Sequence, residues 1–287
     1  MKQKKQMPQK QLLIIYLIDM KKKPVLFLDS GIGGIPYCKC FHQRNPGESI
    51  IYFADRLNFP YGKKEKGQLI EILTNLLENL IKTLNPKIMV LACNTASIAS
   101  LSALRKSFPL LPIIGTVPAV KPAAIKSKTG KIGVLGTELT INEPYIRELA
   151  AKYGNAEIAG IAAPELVEFI ENKITLSTDA EKKEIVNHYL KSFRKEGVDA
   201  LVLGCTHFLF LQEFFQNEAK PDISVFDSLE GITRRIETAL DEHSLWENKA
   251  HNAENYLLLS AETEPEAEWI GWADYLNFKI SLIKDYE

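Results

Sequence analysis

The 287-residue chain is poor in cysteine, with four at Cys38, Cys40, Cys93 and Cys205. No two form a C-x-x-C pair and no His/Cys spacing of a zinc site is present, so neither a disulfide framework nor a structural metal organises the fold, and no metal is expected. An excess of charge of one sign is missing too. With 35 Lys and Arg against 36 Asp and Glu, the formal net charge is −1. That balance gives no footing for nucleic acid or an anionic membrane surface, and an acidic ligand must be held by local groups. Long apolar runs are also lacking. The stretch Gln11 to Ile18 is too short to cross a bilayer, and Asp19-Met20-Lys21-Lys22-Lys23 stands where a signal peptide needs small residues. Residues 1–23 therefore read as a disordered extension or an upstream start, with Met20 the alternative first residue, and the protein as cytoplasmic. A dinucleotide fingerprint fails as well, because the third glycine of G-x-G-x-x-G falls at Pro36.

What is present is a repeated alternation of apolar runs and helical periods. An apolar content of 46% in a chain of this length supports two modest domains. Pro24 to Leu28 reads as a buried strand running into the glycine turn Asp29-Ser30-Gly31-Ile32-Gly33-Gly34, where backbone can approach a ligand. A helix from Tyr37 to Arg44 places Cys38 and Cys40 on different faces, which suits packing. Ser49 to Phe53 is a second strand, followed by a loop ending Pro60-Tyr61-Gly62 that can offer N–H groups to a carboxylate. Leucines at helical spacing from Gln68 to Leu84 stop at Asn85-Pro86.

Two stretches then echo one another. Lys87 to Ser97 and Asp199 to His207 each carry an apolar strand, a small residue, a cysteine, and then hydroxyl, amide or imidazole groups: Cys93-Asn94-Thr95 and Cys205-Thr206-His207. Parallel strands deliver reactive groups to their carboxyl edges in this way. Two such edges suggest two half-sites facing each other, and a thiol on either side of one small molecule can take a proton from one face and return one to the other. Exposed amides at the helix that follows Cys93 would lower its thiol pKa. The alternative is a small buried hydrophobe beside an Asn/Thr cap. His207, two residues from a thiol, is suited to hold or share its proton.

Between these edges, Leu111 to Gly115 is a strand and the proline-rich 116–122 a crossing between domains. Strands at 131–136, 157–161 and 223–227 continue the series, with a polar tip at 137–141, helices from 143, over 164–172 and 179–196, and a helix from Ser228 to Leu240. A strand at 256–260, a helix at 266–276 and a strand at 280–283 can pack on either half.

Six of these motifs in order carry a resemblance: Asp29 to Gly34, Asp55 through Pro60-Tyr61-Gly62, Ala92 to Ala96, Gly115 through Pro122, Gly133 to Thr137, and Leu203 to His207. Together they resemble the aspartate/glutamate racemase family from about Val25 to Phe226. The resemblance implies an α/β protein of two doubly wound parallel-sheet domains related by pseudo-symmetry, 24–115 with 227–287 and 116–226, with the active site in the cleft between them. It implies that Cys93 and Cys205 are the acid/base pair, that Asp29 and His207 tune them, and that Asp29, Ser30, Tyr61, Gly62, Asn94, Thr95, Thr206 and His207 contact substrate. Glu171 resembles the acidic neighbour of the histidine. The implied reaction is cofactor-independent interconversion of L- and D-glutamate, the D-isomer serving peptidoglycan, with a homodimer expected. Leu139, Ala163 and Glu168 depart from residues that many members carry, which touches packing more than chemistry. Three rival readings stand beside this one: aspartate as substrate, a cysteine hydrolase acylated at Cys205 with His207 as base, and an amino-acid-binding module without chemistry.

Overall fold

A computed structural model describes residues 22–247, 253–261 and 265–283, so the expected extension lies outside the described residues except for Lys22 and Lys23. Among the described residues ten strands form two sheets. The first contains β1 (Val25–Asp29), β2 (Ile50–Ala54), β3 (Ile88–Leu91), β4 (Ile113–Gly115), β9 (Asn255–Ser260) and β10 (Lys279–Ile283), in the order β10-β9-β2-β1-β3-β4. The second contains β5 (Lys131–Gly136), β6 (Glu157–Ala162), β7 (Ala200–Leu203) and β8 (Ser224–Phe226), in the order β6-β5-β7-β8. Every pairing is parallel. The second sheet repeats the strand order β2-β1-β3-β4 of the first, so β3 and β7 occupy equivalent places. Both sheets carry the switch in strand order that opens a crevice at the carboxyl edge.

Continuous apolar strands arise here because both sheet faces are covered. Period-two alternation divides each strand between two layers. Leu26, Leu28, Ile51, Phe53, Met89 and Leu91 face the helix Lys66–Leu84, whose buried Leu69, Leu73, Leu76, Leu77 and Leu80 share their cluster. Val25, Phe27, Ile50, Tyr52, Ile88 and Val90 face the other way. Asn85, in the left-handed region at φ 45°, ends that helix, and Pro86 prevents its continuation. In the second half, Thr178 and Glu181 form a capping box that fixes the start of the helix Asp179–Lys195.

The cluster on the second face of the first sheet does not stop at that sheet. It joins Ile32 and Ile35 to Leu166, Ile170, Phe208 and Leu211 of the second half and to Trp269 and Trp272 near the end of the chain, as one apolar core. The last segments, which sequence leaves free to pack on either half, extend the first sheet, with Ile50 opposite Asn255 and Tyr52 opposite Leu257. Their helix Ala267–Leu276 also reaches the second half, where the Trp272 ring lies 5.2 Å from Phe210. Residues 137–141, read as a polar tip, coil into the short helix Glu138–Asn142 capped by Thr137. The loop 206–211 is a 3-10 turn, followed by the helix Gln212–Glu218. Of the charged 241–252 loop, residues 248–252 lie outside the described residues.

Candidate active site

The two sheets meet carboxyl edge to carboxyl edge, and the cysteines stand at matching points of that junction. Cys93 follows β3 and Cys205 follows β7, each in extended backbone (φ −133°, ψ 121° and φ −127°, ψ 139°) as the residue before a helix. Cys93 precedes the helix Asn94–Ser107, and Cys205 the 3-10 turn Thr206–Leu211. The edges are stitched directly: Asn94 Nδ2 donates to the Gly204 carbonyl at 2.8 Å, and the Thr95 and Thr137 hydroxyls pair at 3.0 Å. Both cysteines are buried, 8% and 7% exposed, and free of disulfides.

One expectation about Cys93 is corrected. The amides of Ala96 and Thr95 do act on its sulfur in the acidifying direction, but burial outweighs them and the Asp29 charge adds to it, so the thiol pKa stands well above its ordinary value. A helix amino end acidifies a thiol only while water helps to hold the charge.

Asp29 is fully buried at the tip of β1. Its Oδ1 accepts the amides of Ser30 at 2.5 Å and Gly31 at 3.4 Å, whereas Oδ2 has no hydrogen-bond partner among the described residues. Burial raises its pKa to about 6, with His207 pulling down, Glu171 pushing up, and the two amides pulling down. At neutral pH it is mostly a carboxylate. Asn94 Oδ1, at the same junction, is another buried polar atom without a hydrogen-bond partner among the described residues.

The second edge carries a linked set of charged groups. His207 Nδ1 lies 3.6 Å from Cys205 Sγ, and its Nε2 lies 2.6 Å from Glu171 Oε1. Burial alone would discharge the imidazole, but Cys205 and Glu171 together outweigh it and hold the His207 pKa well above 6.5. Burial likewise works against the Glu171 carboxylate, yet the His207 hydrogen bond and charge, then Arg56 and the Ile32 amide, keep its pKa below the ordinary value. The pair is therefore an imidazolium and a carboxylate, each 6% exposed.

The glycine turn does something other than sequence suggests. A Cβ on Gly33 would lie 2.6 Å from both His207 Nδ1 and Thr206 Oγ1, and one on Gly31 would collide with the Glu171 carboxyl. The bare backbone lets the first edge close on the second edge's side chains. Ile32 N–H completes the contact, donating to Glu171 Oε1 at 2.9 Å.

Tyr61 and Gly62 form a 3-10 turn beside this junction. The Tyr61 amide donates to Ser30 Oγ at 3.5 Å, its hydroxyl donates to Asp55 Oδ2 at 2.8 Å, and Gly62 lies against Thr137. All of the site residues expected from sequence thus gather at the two facing edges, with Thr206 and Ser30 buried among them. Cys38 and Cys40 sit on the helix Ile35–Arg44, outside the set. Sequence reading passed over four residues that frame the site. Asp55 also accepts from Asn58 and Ser260, Tyr52 donates to the Gly31 carbonyl at 2.7 Å, and Thr137 meets Thr95. Arg56 reaches Glu171 Oε2 at 3.3 Å. Asp55, Arg56 and Thr137 stood inside motifs already noted and Tyr52 in the second strand, but nothing local marks a role for Arg56. Of the departures, Ala163 is buried as the cap before the helix Pro164–Lys173, Leu139 lies in the short helix after Thr137, and Glu168 forms an exposed pair with Lys63 at 3.6 Å. Lys66 and Glu143, 4.0 Å apart, add another pair across the margin.

Among the described residues no three His, Cys, Asp or Glu side chains are grouped to hold a metal ion. A cleft of about 670 Å³ lies elsewhere, bordered by Lys87, Phe108, Leu111 and Leu245. Among the described residues no helix is long and apolar enough to cross a membrane.

Two all-parallel sheets of matching order, each presenting a cysteine to the other, define the class. The model of the Asp/Glu/Hydantoin racemase family matches residues 45–235, and the chain belongs to that family. Within it, the similar proteins include glutamate racemases. One from Treponema pallidum (strain Nichols) is 40% identical over 210 residues, covering 73% of this chain and 78% of the relative. The crystal structure of the Escherichia coli glutamate racemase, in complex with L-glutamate and the activator UDP-MurNAc-ala, superposes with a TM-score of 0.76 at 30% identity, covering 91% of this chain and 98% of that one. A glutamate racemase isoform from Bacillus anthracis gives a TM-score of 0.75 at 28% identity, covering 91% and 97%.

Proposed function

We propose that this protein is a glutamate racemase, an isomerase that interconverts L- and D-glutamate by two-thiol acid/base chemistry without a cofactor, and so supplies D-glutamate for peptidoglycan. The observation that carries this reading is the equivalent placement of Cys93 and Cys205 on opposed sheet edges, within a family whose similar members include glutamate racemases.

A proton alpha to a carboxylate is weakly acidic, so the site must stabilise the carbanion with donors already in place. Ser30, Gly62, Asn94, Thr95 and Thr206 are the donors assigned here to the substrate, with Tyr61 fixing the turn that carries Gly62. Asp29, with one oxygen free of protein partners, takes the ammonium. Cys205, 3.6 Å from His207 Nδ1, is the base that removes the proton of L-glutamate. Cys93, kept neutral by burial, delivers its proton to the opposite face and becomes the thiolate that accepts the proton of D-glutamate in the return direction. Closure of the edges excludes water and strengthens each of these interactions.

The test is proton NMR of L-glutamate and, separately, L-aspartate incubated with the protein in D2O, together with chiral analysis of the product. Deuterium at the alpha carbon of glutamate with appearance of the D-isomer is expected. Exchange in aspartate alone moves the assignment to that substrate. Binding of glutamate with its alpha proton retained refutes the reaction. The same reading includes domains at 24–115 with 227–287 and at 116–226, and a homodimer, which sedimentation velocity checks as a species of two chains.

A further inference from the structure

We infer that Arg56 is a positioning residue for the Cys205 half of the reaction, fixing Glu171 and through it His207 when the two sheet edges close. The inference rests on the racemase reading above. Arg56 follows β2 on the first edge, whereas Glu171 belongs to the helix Pro164–Lys173 of the second half. The guanidinium sits 4.2 Å from the Phe59 ring centre and 5.4 Å from that of Trp269, and this stacking limits where its N–H groups point. From there Nη1 meets Glu171 Oε2 at 3.3 Å, leaving Oε1 to accept the Ile32 amide and to hold His207 Nε2.

Both oxygens of Glu171 therefore touch the first edge, and the carboxyl plane that orients the imidazole is set by closure. His207 then presents Nδ1 to Cys205. The surroundings of Cys93 differ: Asp29, the amides of Ala96 and Thr95 and, across the junction, the Cys205 charge act on it. Glu268 also repels Glu171 and is drawn to Arg56, so loss of the guanidinium removes a counter-charge from that repulsion. A larger effect on one thiol than on the other separates positioning from a general loss of stability.

The experiment isolates each thiol. In a Cys93→Ser background, exchange of the L-glutamate alpha proton with D2O reports Cys205; in a Cys205→Ser background, exchange from D-glutamate reports Cys93. Arg56→Gln is expected to slow the first on the order of tenfold, the scale of one hydrogen bond to a charged group, and to slow the second several-fold less, because Cys93 meets the His207–Glu171 pair only indirectly, through the Asp29 charge. Arg56→Lys, which keeps the charge, is expected to recover most of the loss. Equal slowing in both backgrounds, no slowing in the first, or no recovery with lysine overturns the inference while leaving the racemase reading intact. If the wild-type protein exchanges neither enantiomer, the racemase reading fails and this inference falls with it.

Discussion

Asp29→Asn removes a carboxylate that the fold holds at a cost. Its folded pKa is raised from 3.8 to about 6, with burial the largest cause. Because the folded value lies above the unfolded one, the stability linked to its protonated form is complete below the unfolded pKa and is lost as pH climbs through about 6. The difference of roughly 2 pKa units corresponds to about 3 kcal/mol in total. Between pH 5 and pH 8, integration of the linkage relation leaves about 1.4 kcal/mol of that change. The amide in the variant adds an offset of its own, and the lost Asp29 charge also acts on His207 and Cys93, so the slope is carried by the carboxylate together with the groups coupled to it. For a chain of this length, the gap between variant and wild-type melting temperatures should widen in the variant's favour by roughly 2 °C from pH 5 to pH 8. Calorimetric scans of the two proteins across that range provide the measurement, with racemase activity expected to be lost in the variant. A gap that does not change with pH would mean that Asp29 is solvated and that the edges stand open in solution.

Three further outcomes follow from the same geometry. Cys93→Ser should lower racemisation by about a hundredfold or more while L-glutamate continues to lose its alpha proton to D2O through Cys205; unchanged racemisation in both directions would dispose of the two-thiol scheme. Gly33→Ala places a methyl group 2.6 Å from His207 Nδ1 and Thr206 Oγ1, so kcat/KM should fall more than about tenfold as overpacking parts the edges, and full activity would show that the contact is absent in solution. The His207 pKa is held above its unfolded value by Cys205 and Glu171 against burial, so its stabilisation is present below about pH 6.5 and is lost as pH rises through the folded value. Thermal melts of wild type and His207→Gln should therefore converge toward alkaline pH, and a gap that stays constant rejects the imidazolium.

Strand and helix positions were largely legible because the information is local. The run Val25–Leu28 is apolar at every position, and Leu69, Leu73, Leu76 and Leu77 fall on one helical face. The echo between the two cysteine tips likewise pointed to two facing half-sites, though not to the strand order that the two sheets share. Less legible was whatever depended on contact between distant segments. Tyr256 to Leu259 has the pattern of a buried strand, and nothing in that pattern says that it pairs with β2. The glycines at 31 and 33 announced a close approach without saying to what, since His207 and Glu171 arrive from far along the chain. Arg56 stood inside the second motif without a role of its own, because an arginine in a loop is ordinary until Glu171 is seen beside it. The sign of the Cys93 shift was misread for a related reason: helix-end amides are visible in sequence, whereas the depth of burial that defeats them is not.

The apolar core shared by Ile32, Ile35, Leu166, Ile170 and Phe208 bears on how anything gets in. A jaw-like swing would wet those groups at about 2.5 kcal/mol for each 100 Å² uncovered, whereas the ion pairs at the margin, Lys63 with Glu168 and Lys66 with Glu143, are water-screened and cheap to part. Of the two contacts that join the halves, the charged margin is therefore the one that gives way first, and any opening that leaves the apolar core dry has to be made there.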